Sequence, residues 1–146
     1  MNIYIGADHR GFKLKNALLS FYKEKKINAF DAGSLEYDAK DDYPDIAKIV
    51  AESLLHNDQA FGIVICGSGA GVCIAANRLD GIRAVETHDP KIAKASRKDD
   101  NTNMLCLGAD FISEKDAIKV ITAWLKQPFQ PAVRRIRRIK KLDKII

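Results

Sequence analysis

Short apolar runs alternate with segments of helical periodicity along the whole chain. NIYIGA, residues 2–7, has the look of a strand, and Leu14, Leu18, Phe21 and Tyr22 then recur at helical spacing. NAFDAG, residues 28–33, is a second short strand that closes on a glycine. A polar segment, SLEYDAKDDY, leads to Pro44, which suits a helix start; Ile46, Ile49, Val50 and Ser53 share one face of that helix. AFGIVIC, residues 60–66, has no polar alternation, the pattern of a strand covered on both faces. The stretch after Gly71 is small and apolar and predicts a buried helix. IRAVE and NMLCLGA supply a fourth and a fifth strand, with Pro90 opening the helix between them. Ser113 followed by Asp116 reads as an N-cap ahead of Ala117, Val120, Ile121 and Trp124. Pro128 and Pro131 interrupt the chain, and Val133, Ile136, Ile139 and Leu142 line one side of a last helix.

Five strand–helix alternations predict a mostly parallel sheet with helices on both faces. Right-handed crossovers place every strand's carboxyl end on one edge, and ligands of such sheets bind outside that edge. Three polar loops meet there: ADHRG, CGSGAG and DAGSLEYDAKDDYPD. The 146 residues, 47% hydrophobic and 29% charged, fit one soluble domain. No apolar run approaches the ~20 residues of a membrane span. MNIYIGADHRG lacks the features of a secretory signal, so the expected location is the cytoplasm, with no membrane partner.

Charge changes the picture only at one end. The net charge is +5, but residues 131–146 hold seven Lys or Arg and one Asp and so carry +6; the preceding 130 residues carry −1. Residues 1–130 therefore read as one domain and 131–146 as a basic helical appendage. Arg134, Arg138 and Lys141 fall on one face of it, either a solvated basic face or a phosphate clamp built on planar guanidinium forks. Its apolar stripe needs a covering surface, and the expectation is a homodimer that exchanges these helices. No aromatic residues interleave with the basic ones, which argues against a nucleic-acid partner.

Candidate chemistry concentrates at the loop edge. Gly67, Gly69 and Gly71 give GxGxG, with Val72 where a dinucleotide fingerprint wants glycine, and there is no Walker lysine. What remains is a tight turn whose N–H groups can face a phosphate or a developing oxyanion, or a close-packed turn with no ligand. Three cysteines without CxxC spacing and only three histidines argue against a disulfide framework and a zinc site. Cys73 and Cys106 fall inside elements and read as small apolar side chains. Cys66 differs, because it ends a strand beside N–H donors that favour a thiolate, a nucleophile or carbon-acid base. Pattern alone leaves open a Cys–His hydrolase. Asp8 and His9 close the first strand at the same edge: Asp8 either caps the next helix or binds ligand hydroxyls, and His9 is exposed or contacts an anion.

GADHRGFKLK, DYPDIA, GIVICGSGAGVCIAANR, GIRAV and the Arg-rich tail, in that order, resemble the ribose-5-phosphate isomerase B family, which includes allose- and galactose-6-phosphate isomerases. The resemblance covers nearly the whole chain. It implies a Rossmann-like three-layer αβα sandwich with a five-stranded parallel sheet, and a C-terminal helix that reaches a partner subunit. It implies a homodimer or tetramer whose sites are built from both subunits, and aldose–ketose isomerisation through a cis-enediol with no cofactor or metal. By position Cys66 is the base, and Gly67, Ser68, Gly69, Ala70 and Gly71 form the turn that stabilises the enediolate. Asp8, His9 and Tyr43 contact sugar and phosphate.

The chain also departs from that pattern. The family's SRxHNDxN is SRKDDNTN here, so the ring-opening His becomes Asp99 and the next residue Asp100. Asp110 stands where the family often has a basic residue. With a one-residue insertion, Arg134 and Arg138 match the two tail arginines and Arg135 replaces a histidine. The site expected from sequence therefore comprises Cys66 and Asp99 as catalytic groups, with Asp8, His9, Tyr43, residues 67–71, Asp100, Arg134 and Arg138 as substrate contacts. His88 reads as an ordinary loop residue. The leading substrate pair is ribose 5-phosphate and ribulose 5-phosphate. A six-carbon sugar phosphate and a weakened sugar-phosphate-binding homologue stand as alternatives.

Overall fold

A computed structural model describes residues 1–145 of the chain. Strands β1 (Asn2–Ala7), β2 (Ala29–Asp31), β3 (Ala60–Cys66), β4 (Ala84–Glu86) and β5 (Met104–Gly108) alternate with six helices. These are α1 (Phe12–Glu24), α2 (Tyr43–Leu55), α3 (Ala70–Ala76), α4 (Pro90–Asp100), α5 (Glu114–Lys126) and α6 (Val133–Leu142). The strands form one parallel sheet in the order β2-β1-β3-β5-β4. This is the expected Rossmann-like αβα sandwich.

Two cores make the layers. On one face α1, α4 and α5 pack Leu14, Leu18, Ala93, Ala117, Val120, Ile121 and Trp124 against Ile3, Ile5, Ile63, Ile65, Leu105 and Leu107. On the other, α2 and α3 pack Val50, Ala51, Leu54, Val72 and Ala76 against Val64, Cys66, Met104 and Cys106. Alternate residues of β3 feed opposite cores, which is why its sequence is apolar throughout. The predicted Ser113 cap is present, its Oγ accepting from Asp116 N at 3.1 Å.

The chain leaves β1 for the first face through α1, and leaves β3 for the second through α3. Adjacent β1 and β3 thus send their loops to opposite sides. The carboxyl edge between them is the usual ligand position in such sheets.

Two expectations about packing need correction. The buried stripe of α2 is Ile46, Ala47, Val50, Ala51 and Leu54; Ile49 is exposed and Ser53 half-exposed. The helix after Gly71 is not buried throughout: only Val72 and Ala76 are, and Ile74 is 67% exposed. Both errors have one cause, since apolar content marks an element as packed without saying which of its sides the sheet takes. The tail helix α6 buries none of its residues, and it lies along α4 of its own chain. Arg135 pairs with Asp99 at 2.7 Å, and Asp143 with Arg83 at 3.0 Å. Val133, Ile136 and Leu142 of its apolar stripe stay exposed.

Candidate active site

The loop after β1 is shaped by Asp8, which is 5% exposed. Its Oδ1 accepts from the backbone N–H of Arg10 at 3.0 Å and of Gly11 at 3.1 Å, which closes the turn before α1; the helix itself has Gly11 at its N-cap and no side-chain cap, so Asp8 does not cap it. His9 is turned toward the segment before α2. Asp41 Oδ1 accepts from His9 N at 2.9 Å and lies 2.7 Å from His9 Nδ1. The Asp41 hydrogen bond raises the His9 pKa above its ordinary value. The segment carrying Asp41 is itself anchored by the buried Lys15, whose Nζ donates to both Asp31 carboxylate oxygens and to Ser34 O.

Cys66 ends β3 and is 4% exposed. Its Sγ accepts from Gly69 N at 3.2 Å. Gly69 has φ +82°, and a β-carbon there would lie 2.9 Å from Gly108 N and from Glu86 Cγ. Only glycine meets both demands. Gly108 is backed by Ser68 in the same way, and Gly71 lies under the Tyr43 ring, leaving no room for a methyl group. Ser68 Oγ accepts from Ala70 N at 3.3 Å. Burial pushes the Cys106 thiol well up, keeping it neutral, and its hydrogen bond with Cys73 lowers the Cys73 value.

Asp8, His9, Tyr43, Cys66 and the turn Gly67, Ser68, Gly69, Ala70 and Gly71 therefore lie together at the carboxyl edge. Asp99, Asp100, Arg134 and Arg138 do not join them within the chain. Asp99 and Asp100 end α4, just before β5 begins at Met104 opposite Gly62, whereas Cys66 lies opposite Gly108. Four residue steps along a strand separate the two edges by about 13 Å. Both ends of α6 are tied to that far edge through Asp99 and Arg83, and Arg134 and Arg138 are exposed there. His88 also lies at the carboxyl edge: its Nε2 accepts from Gly108 N at 3.1 Å and sits 3.2 Å from Glu86.

Sequence reasoning missed Asp41 and Arg10 as partners at this edge. Asp41 stood unmarked among the acids of one loop. Arg10 pairs with Asp110 across the glycine turn, so Asp110 is not the free negative charge its sequence position implies. Asp8, His9 and Asp41 offer ligand atoms within 4.8 Å of one another, but the Asp8 and Asp41 oxygens that face the loop are already engaged by N–H donors.

The Ribose/Galactose Isomerase family matches residues 3–142. The chain belongs to this family. It is accordingly an isomerase. A relative in Mycoplasma genitalium, "probable ribose-5-phosphate isomerase B", is 40% identical over 99% of this chain and 93% of its own length. A "D-erythrulose-4-phosphate isomerase" of Pectobacterium atrosepticum is 35% identical over 89% of this chain and 86% of its own length. The structure of the Mycoplasma genitalium isomerase with bound ribulose-5-phosphate superposes with a TM-score of 0.91, covering 98% of this chain and 94% of that one. The Thermotoga maritima ribose 5-phosphate isomerase superposes with a TM-score of 0.93 at 38% identity, covering 99% and 98%.

Proposed function

We propose that the chain interconverts ribose 5-phosphate and ribulose 5-phosphate by proton transfer through a cis-enediol. Cys66, as thiolate, takes the proton from carbon 2 of the open-chain aldose. The electron pair moves through the new C1–C2 double bond onto O1, giving an enediolate that the amides of residues 67–71 stabilise. Moving a proton between the two oxygens makes carbon 2 the carbonyl. Return of the Cys66 proton to carbon 1 then completes the ketose. No electrons leave the substrate, so no redox cofactor is required.

The observation that carries this reading is the Gly69 N–H···Sγ bond at 3.2 Å, which sets Cys66 and an N–H-rich turn together at the carboxyl edge. Asp8, His9 and Tyr43 supply polar contacts to sugar and phosphate. Asp99, Asp100, Arg134 and Arg138 serve the site of a second copy, a reading supported by their separation of about 13 Å from Cys66 within one chain. Asp99, paired with Arg135, takes the O1 hydroxyl proton as the bond from carbon 1 to the ring oxygen breaks, and the ring oxygen takes a proton from solvent. The assembly is a homodimer or a dimer of dimers, and the enzyme works in the cytoplasm.

The test incubates the protein with ribose 5-phosphate and follows ribulose 5-phosphate. Cys66→Ala and Cys66→Ser lose on the order of a thousandfold or more in kcat. Turnover that survives Cys66→Ala removes the base assignment. Equal kcat/KM on allose 6-phosphate or D-erythrulose 4-phosphate removes the five-carbon assignment. Binding of ribose 5-phosphate without turnover makes the chain a sugar-phosphate-binding homologue.

A further inference from the structure

The guanidinium of Arg10 lies against the α-carbon of Gly67: a β-carbon on Gly67 would come within 2.6 Å of its Nη1 and 2.5 Å of its Nε. Its other side pairs with Asp110. Both ends of this contact are fixed. Arg10 N donates to Asp8 Oδ1 at 3.0 Å, while Asp110 N donates to Gly67 O at 3.0 Å and Ala109 N to Cys66 O at 2.8 Å. A cation is thus held beside the Cys66–Gly67 peptide and next in sequence to His9. The Arg10 side chain remains 57% exposed. A guanidinium carries five N–H donors and one carboxylate engages two of them at most, so donors remain for a second anion. Lys13, the second residue of α1, lines a cleft beside Arg10 together with Ala109, Ile112 and the acidic Glu114.

We propose that Arg10 contacts the phosphate group of the substrate at the carboxyl edge of its own chain, and that Asp110 is the positioning residue that aims it. This rests on the sugar-phosphate isomerase reading above. The arginines expected from sequence, Arg134 and Arg138, lie at the opposite edge of their own chain, whereas Arg10 is in place whatever the assembly. The ion pair Arg10–Asp110 also reverses the ends expected from the resemblance: position 110 carries the acid, and the guanidinium arrives from position 10. A planar fork suits a phosphate monoester, which offers two oxygens to one guanidinium.

Calorimetry with inorganic phosphate, ribose 5-phosphate and unphosphorylated ribose tests this on the full-length protein, alongside turnover and thermal unfolding. Arg10→Ala weakens phosphate and ribose 5-phosphate binding roughly tenfold to a hundredfold, the worth of one charged hydrogen-bonded contact, and leaves ribose binding unchanged. KM rises by the same factor while kcat holds within a few-fold. Arg10→Lys recovers part of the loss. Asp110→Asn weakens binding less, and the exchanged pair Arg10→Asp with Asp110→Arg regains most of it. Phosphate binding that is unchanged in Arg10→Ala overturns the proposal, as does a loss confined to the melting temperature. A wild-type protein without turnover, whose phosphate binding still depends on Arg10, overturns the isomerase reading and leaves the anion contact standing.

Discussion

One carboxylate oxygen of Asp41 is shared by the backbone nitrogen and the ring Nδ1 of His9, at 2.9 and 2.7 Å. The residues are 32 apart in sequence, and the contact fixes both the position of His9 and the direction of its ring. With Nδ1 occupied, Nε2 is the nitrogen left to face a ligand. Asp8 and Asp41 favour the imidazolium, while neighbouring Arg10 opposes it; the Asp41 bond is the largest influence.

In a proton NMR titration, His9 of the wild type therefore titrates above the ordinary value of about 6.5, and in Asp41→Asn it moves down toward that value. Because the folded-state pKa is raised, the stabilisation from this pair is fully present below about pH 6.5. It is lost as the pH rises through the His9 value. The difference in denaturation midpoint between wild type and Asp41→Asn is accordingly largest near pH 6 and closes in alkaline buffer. A difference that grows with pH contradicts the assigned pairing.

Lys15 has 0% side-chain exposure and Asp31 20%, with Nζ–Oδ2 at 2.9 Å. Removing the cation leaves a largely buried carboxylate and an unpaired Ser34 carbonyl. Lys15→Met costs about 3 kcal/mol, the lower end for a broken buried pair because Asp31 keeps some water. Urea denaturation measures the loss. Lys15→Met with Asp31→Leu recovers much of it, since a buried ion pair is often replaceable by well-packed apolar groups. Residues 34–42 should also exchange their amides faster in the single variant, because Lys15 ties Ser34 to α1.

Gly69→Ala meets two penalties, the left-handed backbone and a β-carbon 2.9 Å from Gly108 N. The backbone alone costs roughly 1–2 kcal/mol. Relief requires the turn to move off β5, which breaks the N–H contact to Cys66. The expected outcome is a modest fall in the urea midpoint and a fall in kcat of about a hundredfold or more. A folded Gly69→Ala with wild-type kcat removes the turn from the chemistry.

Cys66 and Asp99 at opposite sheet edges permit a complementation experiment. Cys66→Ala and Asp99→Ala are each nearly inactive alone if the site joins two copies. Mixed in equal amounts under reversible denaturation, about half of the dimers are hybrids, each with one intact site. Activity then returns to about a quarter of wild type. Mixing that restores nothing, with hybrids verified by mass spectrometry, places Cys66 and Asp99 in a site of one chain, and a fully active Asp99→Ala places Asp99 outside the reaction.

Local signals made the fold legible. Strand length, the apolar β3 and the Ser113 cap each depend on neighbours within a few residues, and the strand–helix alternation followed from them. Face selection was harder, as Ile49 and Ile74 show, because it depends on how an element is rotated against a sheet assembled from distant segments. In the site, Cys66 and the glycine turn could be read as one stretch. The pairs His9–Asp41 and Arg10–Asp110 could not, since their members are 32 and 100 residues apart and any acid of the same loops fits the pattern equally well. The separation of Asp99 from Cys66 was implicit in the alternation, because a helix that returns to the start of the next strand ends on the edge away from the loops.

Gly69, Gly71 and Gly108 leave no space for even one added carbon around the Cys66 turn. The turn is thus closed to variation, whatever sugar is accommodated. Room for a substrate of different length must then come from around the turn, from the loop carrying Asp41 and the ring of Tyr43. Attempts to retarget this enzyme should randomise those positions and leave the glycines untouched.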